Sequence, residues 1–594
     1  MSMIRKRRVV VLVTAMVLGL AGCSSPGSTG TSDSSEGGPQ RGGTLNMLGT
    51  GDVDYMDPNI SYFSIGYLAH RLWSRQLYTY PGDEANNTKA VPDLATGPAE
   101  VSADGLVVTV TIRDGAQWNS SPARQVTAAD VVRGVKRTCN PAQPFGGLPD
   151  YLDLIEGFAS FCDGFAKVKS EAGAIATYIN KNDLPGVQVG ATPLTVVFRL
   201  TRPASFFPDM LTLTAFSPAP EEYDAYVPAS AELAQHTISD GPYQIDSYKA
   251  TKNITFSRNP SWKAETDPVR KAYVDKVVID ETVSQESTQQ QLQTGTAAAD
   301  MEFNNFPPPS QLPALISAKD PLLHLGPTAS SNPYLVFNLR SPNSSGAMRK
   351  LQFRQAVMHA INRDHLIQDA GGPTLNPPLT QVLPKEIVGG EQKIDLYPYD
   401  VAKAKALLSG AGVSGTVPLK VLYDPAIEAR KKNLATLQQD LKEVGISVTG
   451  VPVPTADIIS KYLSEPSVAE RGVWDVSFAG WQPDWFGNAA LSYFKPLFSG
   501  KSSFPPNGSN FGYYDSEATN TLIDKAVAAK TTDEAAMLWH QADEQVMKDA
   551  AFYPVTSPQQ PNYHAKQVHN SQYVSAIQNF DPANVWLDPQ TNGG

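Results

Sequence analysis

The chain has 594 residues, 41% of them hydrophobic and 18% charged, which is enough apolar material for two or three globular domains. Its formal net charge is −11, from 48 basic and 59 acidic side chains. That balance, with no Arg-rich stripe, repels a phosphate backbone and excludes a nucleic-acid partner. Eight histidines lie scattered and none stands near a cysteine, so no local donor set for a metal is expected.

The chain opens on Arg5, Lys6, Arg7 and Arg8, followed by an apolar run from Val9 to Ala21. A basic patch, a short apolar run and a small-residue cleavage site read as an export signal over residues 1–22. The run is too short to span a membrane comfortably. Its end, Leu20-Ala21-Gly22-Cys23, resembles the bacterial lipoprotein signal, whose pattern is Leu, a small residue, Gly or Ala, then Cys. That resemblance implies cleavage before Cys23 and lipid attachment to it, and two lipid chains hold where one does not. Residues 23–40 are then a flexible tether, because the Ser, Gly, Thr, Pro and acidic residues from Ser24 to Gln40 cannot bury a core. Loss of the leader leaves 44 basic against 59 acidic groups, a net charge of about −15. Of the three cysteines, Cys139 and Cys162 remain, and an even pair in an exported chain predicts a disulfide.

Gly42 to Leu48 reads as a short strand, and Tyr62 to Tyr80 as a helix followed by a strand, with Leu68, Leu72 and Leu77 at helical spacing. β-Branched runs at Leu106–Ile112 and Thr195–Leu200 predict strands, the first flanked by Asp-Gly turns. A mixed region over 243–303 holds the strand Val274–Ile279 and a Gln-rich helix from Glu286 to Gln293, ended by Gly295. Beyond Leu335 the pattern becomes α/β. Leu351, Val357, Ile361 and Leu366 predict one apolar helix face, and Asp400 caps a helix ending near Gly410. Leu419–Tyr423, a helix lined by Leu434, Leu437, Leu441 and Val444, and Ile446–Val448 form a strand–helix–strand unit. Thr531 with Glu534 predicts a capping box for a helix ending near Ala550.

No catalytic signature is present: neither His-Glu-x-x-His, nor Gly-x-Ser-x-Gly, nor a phosphate-cradling Gly-rich loop. The chain is therefore read as a non-enzyme, with no cofactor. What stands out is Asp484 among aromatics: Trp474, Phe478, Trp481, Trp485, Phe486, Tyr493 and Phe494. An acid amid rings and glycine turns suits a pocket for a small molecule carrying a cation, since excluded water strengthens the charge pairing. A loop packed on a core fits the same residues.

The segments in order resemble the peptide- and nickel-type solute-binding proteins of ABC importers, the oligopeptide- and dipeptide-binding family. The resemblance is carried by Arg41-Gly42-Gly43-Thr44-Leu45, Pro92-Asp93-Leu94-Ala95, Ile112 to Trp118, Thr127 to Val131 and Asp240-Gly241-Pro242-Tyr243. It continues through Arg258-Asn259-Pro260, Val274 to Val277, Phe353 to Arg363, Lys403 to Gly412 and Leu441 to Gly445. It implies an α/β, two-lobed periplasmic-binding-protein-like fold of the peptide-binding class II type, with an extra inserted subdomain. Mapped here, the first lobe takes 41–80 and 226–330, the extra subdomain 81–225, the second lobe 331–530, and the chain returns to the first lobe over 531–594.

The implied function is capture of oligopeptides between the lobes and delivery to an ABC permease pair driven by cytoplasmic ATPases. The protein would be a monomer, held by its lipid on the extracytoplasmic face of the membrane. The same scaffold admits other readings: a dipeptide, nickel chelate, opine, sugar or antibiotic-like peptide as cargo, or a cell-surface sensor. In peptide-binding members an Asp in a Trp-x-x-Asp-aromatic segment pairs with the ligand α-amino group. Here that segment is Trp481-Gln482-Pro483-Asp484-Trp485, so Asp484 becomes the expected anchor, with Trp481, Trp485 and Phe486 as pocket walls. The family also places contacts near the early helix, here Tyr62, Phe63, Ser64 and Tyr67, and near Ser331–Phe337. Two departures bear on the cargo: the run Phe486-Gly487-Asn488-Ala489-Ala490 after Asp484, and the Cys139–Cys162 excursion, which looks like one in actinobacterial relatives.

Overall fold

Three sheets organise the chain. In the computed structural model, residues 38–589 are described, apart from 149, 150, 297, 413, 414 and 507. The leader over 1–22, Cys23 and nearly all of the tether lie outside the described residues.

The first sheet has five strands, ordered 243–249, 253–258, 276–280, 44–48 and 301–302. Thr44–Leu48 runs parallel to both of its neighbours, with Thr44 opposite Lys276 and Leu48 opposite Asp280. Alternation decides which side chains go inward: Leu45, Met47, Val277, Ile279, Ile254 and Phe256 are buried. The second sheet is ordered 446–452, 417–423, 476–481, 331–337 and 552–554. Val417–Tyr423 is parallel to Ile446–Pro452 and to Val476–Trp481, whereas Ser331–Phe337 is antiparallel to both of its partners. The Glu428–Lys442 helix makes the crossover between the two parallel strands and buries Leu434, Leu437 and Leu441. A third, antiparallel sheet joins 100–101, 107–111, 195–199 and 187–189.

Local signals set the element ends. The Gln285–Thr294 helix stops where Gly295 takes a left-handed conformation at φ 66°. Asp400 caps the Val401–Gly410 helix by accepting the Lys403 N–H at 2.8 Å. Two expectations are corrected. The single apolar helix through Leu351 and Leu366 is two helices, Leu351–Ala360 and Arg363–Asp369. The break falls at Ile361, which turns extended, and at Asn362, whose side chain accepts the Asp364 N–H at 3.1 Å and caps the second piece. Thr531 does cap the Thr532–Lys548 helix, but Glu534 reaches back to the Lys530 N–H at 3.1 Å and so does not close a box on Thr531.

Cys139 and Cys162 are bridged, with Cα atoms 5.5 Å apart. The bridge ties the chain just beyond the Ala128–Arg137 helix to the Phe158–Phe165 helix and closes the stretch holding Phe145 and Tyr151. Among the described residues no helix is long and apolar enough to cross a membrane.

Candidate ligand-binding site

The Val476–Trp481 strand is the structural root of the site. It lies inside the second sheet, and its first three residues are buried. The chain then leaves the sheet through Gln482-Pro483-Asp484. Trp481 turns its indole N–H to the Ser492 carbonyl at 2.7 Å, and the Asp484 N–H reaches the Ser492 hydroxyl at 3.3 Å. Trp485 is buried, stacks on Phe206 with ring centroids 5.9 Å apart, and donates its indole N–H to the Asn488 carbonyl. The Phe486 N–H donates to the Tyr80 hydroxyl at 2.8 Å. Gly487 follows at φ 75°, and a Cβ there would stand 2.9 Å from the Thr88 carbonyl oxygen, so both its backbone and its space require glycine.

Two tyrosines converge on the acid. The Tyr62 hydroxyl donates to Asp484 Oδ1 and the Tyr151 hydroxyl to Oδ2, each at 2.9 Å. Tyr62 is set by Asp54, whose carboxylate accepts the Tyr62 N–H at 2.6 Å and the Phe63 N–H at 3.2 Å just ahead of the Ser64–His70 helix. Its ring stands edge-on to Phe145 at 5.3 Å, and Phe145 in turn stacks on Tyr151. Burial raises the Tyr67 hydroxyl pKa well above its usual value, and the nearby Asp484 carboxylate adds to the rise. It stays a neutral phenol.

These groups surround a cavity of about 280 Å³. Of the eight residues expected at the site, Asp484, Trp485, Phe486, Tyr62, Phe63, Ser64 and Tyr67 line it. Trp481 does not; its indole is committed to Ser492. Tyr80, Thr212, Leu213, Thr328, Gln482, Pro483, Ala576 and Gln578 complete the wall, and the Tyr151 hydroxyl also reaches the acid. Ser331–Phe337 is an inner strand with Leu335 and Phe337 in the core, and it does not line this first cavity, but its Asn332 lines the second cavity described next.

A second cavity of about 280 Å³ opens on the same strand. Gly480 lines it, two positions before Gln482 of the first cavity, a separation of about 6.5 Å along an extended strand. Its cation is Arg430, on the Glu428–Lys442 helix, with the guanidinium 5.2 Å from the centre of the Phe478 ring. Arg430 donates to Asn433 at 3.4 Å, and no carboxylate among the described residues lies within ion-pair distance of it. Burial lowers its pKa to about 10. Asp424, the acid of this cavity, is occupied by the N–H groups of Ala426 at 2.8 Å and Thr455 at 2.7 Å. Among the described residues, no cluster of three or more His, Cys, Asp or Glu side chains could hold a metal.

Comparison with known proteins fits this geometry. A profile described as Bacterial extracellular solute-binding proteins, family 5 Middle, matches residues 89–505. Di/tripeptide-binding protein 4 of Pseudomonas aeruginosa (strain UCBPP-PA14) is 24% identical over 82% of this chain and 84% of its own length. Heme-binding protein A of Haemophilus influenzae is 25% identical over 77% of each. Among solved structures, clavulanic acid biosynthesis oligopeptide binding protein 2 superimposes with a TM-score of 0.80 over 93% of this chain and 96% of that one, at 23% identity. The fold is thus the mixed α/β, two-lobed, periplasmic-binding-protein-like fold of the peptide-binding class II type.

Proposed function

The chain belongs to family 5 of the bacterial extracellular solute-binding proteins, non-catalytic proteins that hand a small solute to an ABC importer, and from that premise we propose that its solute is a short peptide held at both ends. The observation that carries this reading is an acid and an unpaired guanidinium at two cavities of one strand. An ionised carboxylate has about four lone-pair sites. Tyr62 and Tyr151 donate one hydrogen bond to each oxygen, and an α-ammonium group would join them as a charged donor to the same carboxylate. Trp485, Phe486, Tyr62, Phe63, Ser64 and Tyr67 would wall that end. The free carboxylate would meet Arg430, relieving a cation that burial disfavours. Two or three extended residues span about 7–11 Å, and the linings of the two cavities approach one another at Gly480 and Gln482.

The same reading takes 41–80 and 226–330 as the first lobe and 81–225 as the inserted subdomain. It takes 331–530 as the second lobe and 531–594 as the return to the first, and the pairing of Phe552–Pro554 with Ser331–Phe337 favours a return later than 531. The lobes would close on the peptide and present it to a permease pair driven by cytoplasmic ATPases. Lipid on Cys23 would hold the protein at the extracytoplasmic face, and Cys23→Ala should move it from the membrane fraction to the soluble one.

The described residues from Gln40 onward form one compact unit, so the body from Arg41 onward suits native mass spectrometry with fragmentation of whatever it releases. Di- and tripeptides are expected. A single defined non-peptide mass would overturn the peptide reading and leave family membership intact.

A further inference from the structure

The second cavity is lined by four aliphatic side chains, Ile427, Ile458, Ile459 and Leu463, and by the rings of Phe478 and Phe511. Ile427 and Ile459 remain 41% and 55% exposed. Isolated apolar side chains on a surface need no explanation. Two that converge on the mouth of one apolar cavity do, because such a patch stays wetted until something apolar covers it. The chain over Ile458–Leu463 winds as a π-helical turn, a rare conformation found at functional sites, and that turn supplies three of the lining side chains. Arg430 stands in the same cavity with no carboxylate partner among the described residues, while Asp424 is occupied by backbone N–H groups. A cation and an apolar lining in one small space describe one ligand chemistry, a carboxylate with a bulky apolar group on the adjoining carbon.

We propose that this cavity receives the C-terminal residue of the bound peptide and selects a large aliphatic or aromatic side chain there. The inference rests on the peptide reading above. It makes the two ends unequal. In the first cavity the rings of Tyr62, Phe63, Tyr67, Trp485 and Phe486 are interleaved with the hydroxyl and amide groups of Ser64, Thr212, Thr328, Gln482 and Gln578, so an apolar side chain of the N-terminal residue gains less there.

Titration calorimetry of the ligand-free protein with Ala-Ala, Ala-Leu, Ala-Phe, Leu-Ala and Ala-Asp tests it. Ala-Leu and Ala-Phe should bind at least about tenfold more tightly than Ala-Ala, the size expected for burying one large side chain. Leu-Ala should gain little and Ala-Asp should bind worst. Ile459→Asp, at an exposed rim position, should bring Ala-Leu and Ala-Phe down to the affinity of Ala-Ala. Equal affinity for Ala-Ala, Ala-Leu and Ala-Phe would overturn the selection and leave the peptide reading standing, as would a preference that survives in Ile459→Asp. No heat with any of the five would overturn both.

Discussion

At the first cavity the acid is already met by two hydroxyl donors, whereas at the second the guanidinium faces a ring and one distant amide. Asp484 is therefore held in one orientation by groups of the protein itself. Half-buried Arg430 has its pKa lowered by desolvation and only a ring and an amide to offset it, so on the peptide reading an anion would be the stronger partner. On the peptide reading, the lesson is that the two charged groups proposed as anchors need not work alike. A pre-organised acid contributes register, and an unpaired cation contributes a larger change between the empty and the filled state.

The contrast can be broken by substitution. Asp484→Asn should have the largest effect, weakening a peptide with a free amino group by about 2 kcal/mol or more, since it leaves a buried partner unpaired. The N-acetylated peptide should not distinguish mutant from wild type, and calorimetry with both forms reads the difference. Arg430→Gln should cost about 1.5 kcal/mol against a free carboxylate and nothing against the C-terminal amide. Equal losses for acid and amide would mean that Arg430 acts through packing. Tyr151→Phe should be milder, about 1 kcal/mol, and should act only on ligands that need Asp484.

The smallest effect concerns the support of the first cavity and appears in stability instead of affinity. Asp543 is fully buried and accepts the N–H groups of Val382 and Leu383 at 2.9 Å, anchoring the loop whose Val388 N–H pairs with the Gly487 carbonyl. Burial pushes its carboxyl up to about 7 against those two N–H groups. Its unfolded value is about 3.9. The folded state then holds its proton to higher pH than the unfolded state, so this contribution is full below about pH 4, falls as pH rises to about 7, and is level beyond. Asp543→Asn should flatten that part of the stability profile, as measured by urea unfolding at pH 5 and pH 8. An unchanged slope would assign the titration to other groups.

How far the sequence foretold this molecule depended on how local the signal was. Gly295, Asp400 and the Leu434-Leu437-Leu441 spacing were legible because cap and periodicity act within a few residues. The break at Ile361 was not, because Ile361 and Leu366 are both buried and the apolar period runs on through it. Asp484 stood out through its ring-rich surroundings. Tyr151 could not, being 333 positions away, and Arg430 sits beside Lys431 and Lys432, where a cation reads as part of a solvated helix face. Trp481 misled for the opposite reason: proximity in sequence suggested a pocket wall, but a hydrogen bond to Ser492 turns the indole elsewhere.

The Cys139–Cys162 bridge closes the stretch that holds Phe145 and Tyr151, and Phe145 also supports Tyr62. The bridged stretch thus carries one hydroxyl donor to Asp484 and packs against the other, and thiols are oxidised outside the cytoplasm. A newly made chain still in the reducing interior presents its acid without that support. On the peptide reading, a chain whose bridge has not formed should therefore hold its ligand more weakly than the oxidised one.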